Sequence, residues 1–283
     1  MNIVLLPNLS KQDAKHHTDR ITQKLLSYHA QVWMYRPMER TFSGRGIRFW
    51  DQFDEMIAAC DAMIAIGGDG TIIHASKHAA RAGKPILGVN VGRLGFVAGL
   101  EVNELDLLEK LVQGQFDVDT RMMIDVEVKR DSGDIRHHVL NDAVISRGAL
   151  SRILDLQVSL NQDTICKYRA DGLILSTPTG STAYSLSAGG PVVDPSMECM
   201  ILTPICPHSL LTRPVVFNAA SQLSAMADCG SEIYLTLDGA TSIRIEGGEQ
   251  VLFTKSDYSV QLIQLHHKGF YQVVNEKLTE RRA

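Results

Sequence analysis

The sequence predicts an α/β N-terminal domain built on a parallel, Rossmann-like sheet, followed by a mostly antiparallel β domain. Two changes of rhythm predict it. Over the first hundred residues or so, short apolar runs alternate with helical patterns, which implies parallel strands joined by crossover helices. Beyond about residue 120, apolar and polar residues alternate singly between turn signals, the mark of an antiparallel sheet with one buried face. Bulk agrees: 283 residues, 45% hydrophobic and 21% charged, suit one large or two ordinary domains with a sizeable core.

In order, residues 3–6 read as a buried strand. Residues 12–28 are polar, with Ile21, Leu25 and Tyr28 at helical spacing. Residues 31–35 are a second strand, 53–60 a helix and 62–66 a third strand. A helix over 72–82 is stopped by Gly83, and 85–90 form the next strand. Residues 103–113 read as a helix linking the halves, with the division at 102/103. In the second half Ile124, Val126 and Val128 alternate with polar residues, 131–134 is a turn, and 135–146 reads as the returning partner strand. Leu154, Leu156, Val158 and Leu160 repeat the pattern, as do Ile233, Leu235 and Leu237, and then Ile243 and Ile245 before Gly247-Gly248.

Net charge is −4, which argues against a protein built to bind nucleic acid. No stretch approaches the ~20 apolar residues of a membrane-spanning helix, and residues 1–7 lack the basic lead-in and apolar core of a signal peptide. The five cysteines are odd in number and show no C-x-x-C spacing, so a reducing, cytoplasmic setting is expected.

Two segments carry chemistry. The apolar run 62–66 enters Gly67-Gly68-Asp69-Gly70-Thr71, with a helix behind it. Glycines let backbone approach an anion, and a helix start offers free N–H groups and the positive end of its dipole. Asp69 is the odd member, because a carboxylate repels phosphate. It makes sense as a metal ligand or as the acceptor of a proton from an attacking hydroxyl. The same five residues also make good turn chemistry. The second segment, 168–191, runs a strand over 172–176 into a loop of hydroxyls: Ser176, Thr177, Thr179, Ser181 and Thr182. These can hydrogen-bond phosphate, ribose or base edges, and Tyr184 offers a ring on which a base can stack.

Together these segments resemble the NAD kinase family. Gly67 to Thr71 is similar to its first signature, Asn90-Val91-Gly92-Arg93-Leu94-Gly95-Phe96 to its second, and Asn141-Asp142 to its Asn-acidic pair. Asp171-Gly172 through Tyr184 is similar to its longest and most specific motif. Gly189-Gly190-Pro191, 202–208 and Arg213-Pro214 continue the match in order. The first motif alone is shared with lipid kinases and phosphofructokinases, so a kinase for a lipid or sugar phosphate, or a nucleotide-binding regulator without turnover, stands as the rival.

The resemblance implies phosphorylation of the 2′-hydroxyl of NAD's adenosine ribose by ATP, giving NADP and ADP. It implies two domains, 1–102 rejoined by about 270–283, and 103–269, with NAD in the cleft between them. It makes Asp69 the catalytic residue beside the 2′-hydroxyl. Phe96 and Tyr184 would flank the adenine, Asn141, Thr182 and Ala183 would meet the base, and Asp142 the ribose. Asp171 and Cys206 would lie near the nicotinamide, across a subunit boundary. Gly68, Gly70, Thr71, Asn90, Arg93, Arg169, Thr179 and Ser187 complete the implied binding set. Mg²⁺ or another divalent cation would come with ATP, and the protein would be a dimer or tetramer. Two positions depart from the family pattern: Asp142, where Glu is more usual, and Ala240, where Gln often follows Asp238-Gly239.

Other features are set aside. Adjacent histidines at 16–17, 137–138 and 266–267 point in different directions and make poor chelating pairs. Arg36, Arg45 and Arg48, near Gly44 and Gly46, read as a solvated loop in preference to a mobile lid that meets triphosphate.

Overall fold

The structure, a computed structural model, describes the chain except residues 12, 93–94, 149–151, 210–211, 229, 231, 267–268 and 281–283, and of 277–280 it describes the backbone alone. The chain forms two units, residues 1–120 with 260–283, and residues 121–259. The expected boundaries at 102/103 and 269/270 both move. Leu105, Leu108 and Leu111 bury into the core of the first unit, so the expected linker helix belongs there. Leu262 pairs with Ile86 of the same unit, which draws the second boundary back to 259/260.

The first unit alternates as its rhythm predicts: β1 (Asn2–Pro7), α1 (Ala14–Ser27), β2 (Gln31–Tyr35), α2 (Glu39–Phe42), β3 (Arg48–Trp50), α3 (Phe53–Ala59), β4 (Ala62–Gly67), α4 (Asp69–Ala82), β5 (Ile86–Asn90), β6 (Leu100–Glu101) and α5 (Leu108–Val112). Strands run parallel in the order β5-β4-β1-β2-β3, with β6 also parallel to β5. Helices cover such a sheet on both faces, which is why β4 is buried along its whole length and reads as unbroken apolar sequence. α1 buries Ala14, Thr18, Ile21 and Leu25, one face at intervals of three and four.

Three local expectations are corrected. α4 begins at Asp69 rather than 72, because Gly68 turns the extended chain directly into the helix; Gly83, in the left-handed region at φ 63°, ends it as expected. Residues 103–113 are a 3₁₀ turn, Leu105–Leu107, followed by the short α5. Residues 36–50 are not plain loop. They hold a 3₁₀ turn at Arg36–Met38, α2 and the edge strand β3, and their arginines are engaged. Arg36 pairs with Asp51 and Glu39, Arg45 with Asp19 at 2.6 Å, and Arg48 stacks 4.6 Å over the Trp50 ring.

The chain passes into the second unit within β7 (Asp117–Val128). There follow β8 (Ile135–Val139), β9 (Asp142–Arg147), β10 (Leu154–Leu160), β11 (Asp163–Ala170), β12 (Gly172–Ser176), a 3₁₀ turn Thr179–Thr182, α6 (Tyr184–Ser187), β13 (Cys199–Ile205), β14 (Val215–Asn218), β15 (Leu223–Asp228), β16 (Ile233–Leu237), β17 (Thr241–Ile245) and β18 (Gln250–Gln264). Within β18 the chain returns to the first unit, where α7 (Phe270–Glu280) ends it. One sheet of the second unit carries β11, β10, β15, β18, β7 and β8; the other runs β14-β13-β12-β9-β16-β17, antiparallel throughout. Both supply a single apolar core, with Leu156, Val158 and Val251 from the first sheet and Ile145, Leu173 and Leu235 from the second.

The expected single strand 135–146 is two strands in two sheets. β8 pairs with β7, whereas β9 lies between β12 and β16. The chain switches sheets at Leu140–Asn141, where three consecutive backbone N–H groups bond to one carboxylate, that of Asp238.

Candidate active site

The chemistry-bearing residues form one constellation in each unit. In the first, β4 delivers the chain to Gly67, whose absent side chain lets the backbone lie against Thr71. Thr71 Oγ1 accepts a 2.9 Å hydrogen bond from Asn8 Nδ2. Gly68 and Gly70 differ from Gly67: a Cβ built at either meets no described atom within 4 Å. Packing within the chain therefore does not demand glycine at 68 or 70. The open space lies at the start of α4, where the first turn's N–H groups have no intrahelical acceptor. That combination suits a phosphate.

Asp69 opens α4 and is half-buried. Its Oδ2 accepts the Phe96 backbone N–H at 2.9 Å, and Oδ1 faces the Val97 N–H at 3.5 Å. A Cβ on Gly95 would overlap Asp69 Oδ1, so only glycine lets that loop reach the carboxylate. Asn90, at the end of β5 and 3% exposed, donates to the Gly92 carbonyl and accepts from the Gly92 N–H, both at 3.2 Å. It thereby shapes the chain leading to Gly95 and Phe96. Arg93 lies outside the described residues.

In the second unit, a pocket of ≈ 410 Å³ is lined by Asn141, Asp142, Val144, Ser146, Ala183, Tyr184, Thr236, Asp238 and Gly239. Four of these, Asn141, Asp142, Ala183 and Tyr184, are expected binding residues. The Asn141 side-chain Oδ1 is buried and has no hydrogen-bond partner. A buried acceptor left unfilled is costly, so a ligand donor is its natural complement. The Asn141 carbonyl accepts the Thr177 N–H at 2.9 Å, and Gly180 approaches it so closely that a Cβ there would strike Asn141 O and Cα. Thr177 Oγ1 donates to the Leu140 carbonyl at 2.6 Å and accepts from the Gly180 N–H at 3.1 Å. Thr179 Oγ1 accepts from Arg121 Nη1 at 3.2 Å, and Thr182 Oγ1 donates to the Thr179 carbonyl at 3.2 Å. These hydroxyls build the loop that presents Ala183 and Tyr184; Tyr184 is 45% exposed, its ring accessible.

The remaining expected residues fall elsewhere. Asp171 pairs with Arg147 at 2.7 Å, and that hydrogen bond raises the guanidinium's pKa above its ordinary value. Cys206 is exposed and has a left-handed backbone, at φ 46°. Arg169 reaches Asp155 at 3.2 Å on the exposed strand β11, and Ser187 ends α6 on the surface; neither lines the pocket. The sequence reading missed Asn8, and it named Gly95 and Asp238 only as motif members without a role. Asp238-Gly239 carried a signal, since Asp-Gly between two alternating runs marks a tight hairpin. Both residues have positive φ, 49° and 65°, and the Ala240 N–H closes the turn on the Leu237 carbonyl at 3.1 Å.

Compared with known proteins, residues 4–116 match the family described as ATP-NAD kinase N-terminal domain, and 140–265 that described as ATP-NAD kinase C-terminal domain. An NAD kinase from Magnetococcus marinus is 42% identical over 281 residues, covering 98% of this chain and 93% of that protein. One from Moorella thermoacetica is 43% identical over 229 residues, covering 80% of this chain and 74% of its own. Among solved structures, yeast NADH kinase complexed with NADH aligns with a TM-score of 0.88 at 23% identity, covering 99% of this chain and 87% of that one. An NAD kinase from Archaeoglobus fulgidus in complex with ATP aligns with a TM-score of 0.78, also at 23% identity and covering 99% of both chains. At that identity the two structures speak for the fold.

Proposed function

The chain belongs to the NAD kinase family, and from that premise we propose that it transfers the terminal phosphoryl group of ATP to the 2′-hydroxyl of NAD's adenosine ribose. The observation that carries this reading is the Asp69 carboxylate, fixed by the Phe96 N–H at 2.9 Å beside two glycines whose missing side chains face open space. Phosphoryl transfer asks the protein for positioning and charge stabilisation more than for covalent chemistry. The Gly68–Thr71 backbone would receive the phosphates. Asp69 would orient the 2′-hydroxyl and accept its proton as the oxygen attacks phosphorus. A carboxylate that accepts one or two N–H bonds keeps lone pairs for this task.

The pocket of the second unit would take the adenosine part of NAD. Asn141 Oδ1 offers an acceptor to the exocyclic amine of adenine, and Tyr184 a ring to stack on it. Asp142, 5% exposed, lines the same pocket and would face the ribose, its shorter reach than Glu spanned by a water. Asp171 and Cys206 would attend the nicotinamide end of NAD. A divalent cation would come with the nucleotide, held chiefly by the ATP phosphates and needing few protein ligands. When bound it would neutralise phosphate charge.

Incubation with NAD, ATP and Mg²⁺, read by a dehydrogenase that accepts only NADP, tests the activity; no NADP from folded protein defeats it. Asp69→Asn should lower kcat by about 10²–10⁴-fold with NAD affinity little changed, and a loss below about tenfold removes Asp69 as the base. The same reading has the protein working in the cytoplasm as a homo-oligomer, which sedimentation of the purified chain would check.

A further inference from the structure

We propose that Asp238 is a positioning residue for NAD recognition, setting the orientation of the Asn141 side chain through the Asn141 backbone. The inference rests on reading the second unit's pocket as the adenosine site.

β8 ends at Val139 and β9 begins at Asp142, in different sheets. Residues 140–141 therefore cannot satisfy their N–H groups in a strand ladder. Asp238 supplies the acceptor instead. Its Oδ2 takes the Leu140 N–H at 3.1 Å, and its Oδ1 takes those of Asn141 and Asp142 at 2.7 and 3.1 Å. In return, the Asp238 N–H donates to the Asp142 carbonyl at 2.9 Å. Hydrogen bonds to a charged acceptor are about twice as strong as neutral ones.

The carboxylate can reach because Asp238 and Gly239 form a left-handed two-residue turn. Leu237 pairs with Ala143 next to that turn, so β16 is already locked to β9. Asn141 is then held on both sides, its N–H by Asp238 and its carbonyl by the Thr177 N–H at 2.9 Å. With that backbone fixed, the Asn141 side chain, which lines the pocket and whose Oδ1 has no hydrogen-bond partner, is held in one orientation and can turn that acceptor only to a donor brought by the ligand. An acceptor so held distinguishes a purine bearing an amine at its 6-position from one bearing a carbonyl, because only the amine can donate.

The test compares NAD with its hypoxanthine analogue, in which that amine is replaced by a carbonyl. Substrates are assayed with wild type, Asn141→Ala, Asp238→Ala, Asp238→Asn and the Ala/Ala double variant. Wild type should prefer NAD by about tenfold, the worth of one well-made hydrogen bond. Asp238→Ala should raise KM for NAD by about that factor, leave KM for ATP within about twofold and abolish the preference. The double variant should be no worse than Asp238→Ala alone, since both remove one interaction. Asp238→Asn, isosteric and still able to accept through one oxygen, should show an intermediate preference. It stands in for Asp238→Ala if that variant fails to fold. A preference kept in full by Asp238→Ala or Asp238→Asn, with only a lowered Tm, makes Asp238 merely structural and overturns the inference alone. Absence of any preference in wild type overturns the reading of the pocket, and the inference with it.

Discussion

The glycine loop of the first unit and the pocket of the second solve the same problem in opposite ways. Each must hold a polar group ready for a ligand without letting the protein consume it. At 67–71 this is done by removing side chains. Gly67 and Gly95 are required by the chain's own packing, against Thr71 and Asp69, whereas Gly68 and Gly70 leave open space. At 140–142 it is done by supplying one side chain, Asp238, to a stretch of backbone that no strand can satisfy. The contrast separates glycines kept for the fold from glycines kept for a ligand, a distinction invisible in the letter G.

The largest effect expected of that contrast is at Gly95. Gly95→Ala should displace the Asp69 carboxylate and lower kcat by about 10²-fold or more, as loss of the base itself would. Activity within about threefold of wild type would show that the loop can yield. Next is Gly180→Ala in the second unit, where the new methyl meets the Asn141 backbone. It should cost about 1–3 kcal/mol of stability in denaturant unfolding, the usual penalty of an overpacked site. Gly70→Ala should move the other way. It sits in the first turn of α4 with open space around its Cβ position, so the protein should be unchanged or up to ~1 kcal/mol more stable. KM for ATP should nonetheless rise several-fold. Unaltered ATP kinetics would mean that Gly70 serves neither fold nor ligand. The smallest effect concerns pH. Burial, then the charges of His74 and Arg81, hold His78 on α4 below the ordinary histidine pKa of 6.5. A depressed value means that folding favours the neutral ring. The associated stability is present above pH 6.5 and is lost as pH falls below it toward the folded value. A His78→Gln variant should show a shallower decline of Tm between pH 7 and 5.

Much of this was legible in the sequence where a pattern repeats. The strands at 31–35 and 172–176 fall where their apolar runs placed them, because burial on both faces leaves no other reading. The break at Leu140–Asn141 went unread although Asn141-Asp142 interrupts the apolar residues there, because its cause, Asp238, lies 97 residues beyond Asn141. β3 escaped notice because three residues are too few to show a period. For the site, motif residues such as Asn141, Asp142, Ala183 and Tyr184 do share a pocket, but Val144, Ser146 and Thr236 join them from strands that read as plain scaffold. Alternation along β9 and β16 shows which residues face the core and is silent about what the other face lines.

The passage of the chain out of the first unit in β7 and back in β18 has a consequence for synthesis. The second unit is one continuous stretch, 121–259, whereas the first is completed only by residues beyond 259. Domains fold as units during synthesis, so the first must wait for those residues. β6 pairs with β5 at Val89 and Asn90, but Ile86 waits for Leu262, so that part of the β5 edge stays open until residues beyond 259 emerge. Throughout that interval the nascent chain leaves part of an apolar strand edge unpaired, an arrangement prone to pair with a neighbour. A truncation that removes Leu262 should therefore betray itself first as aggregation during expression, before any question of catalysis arises.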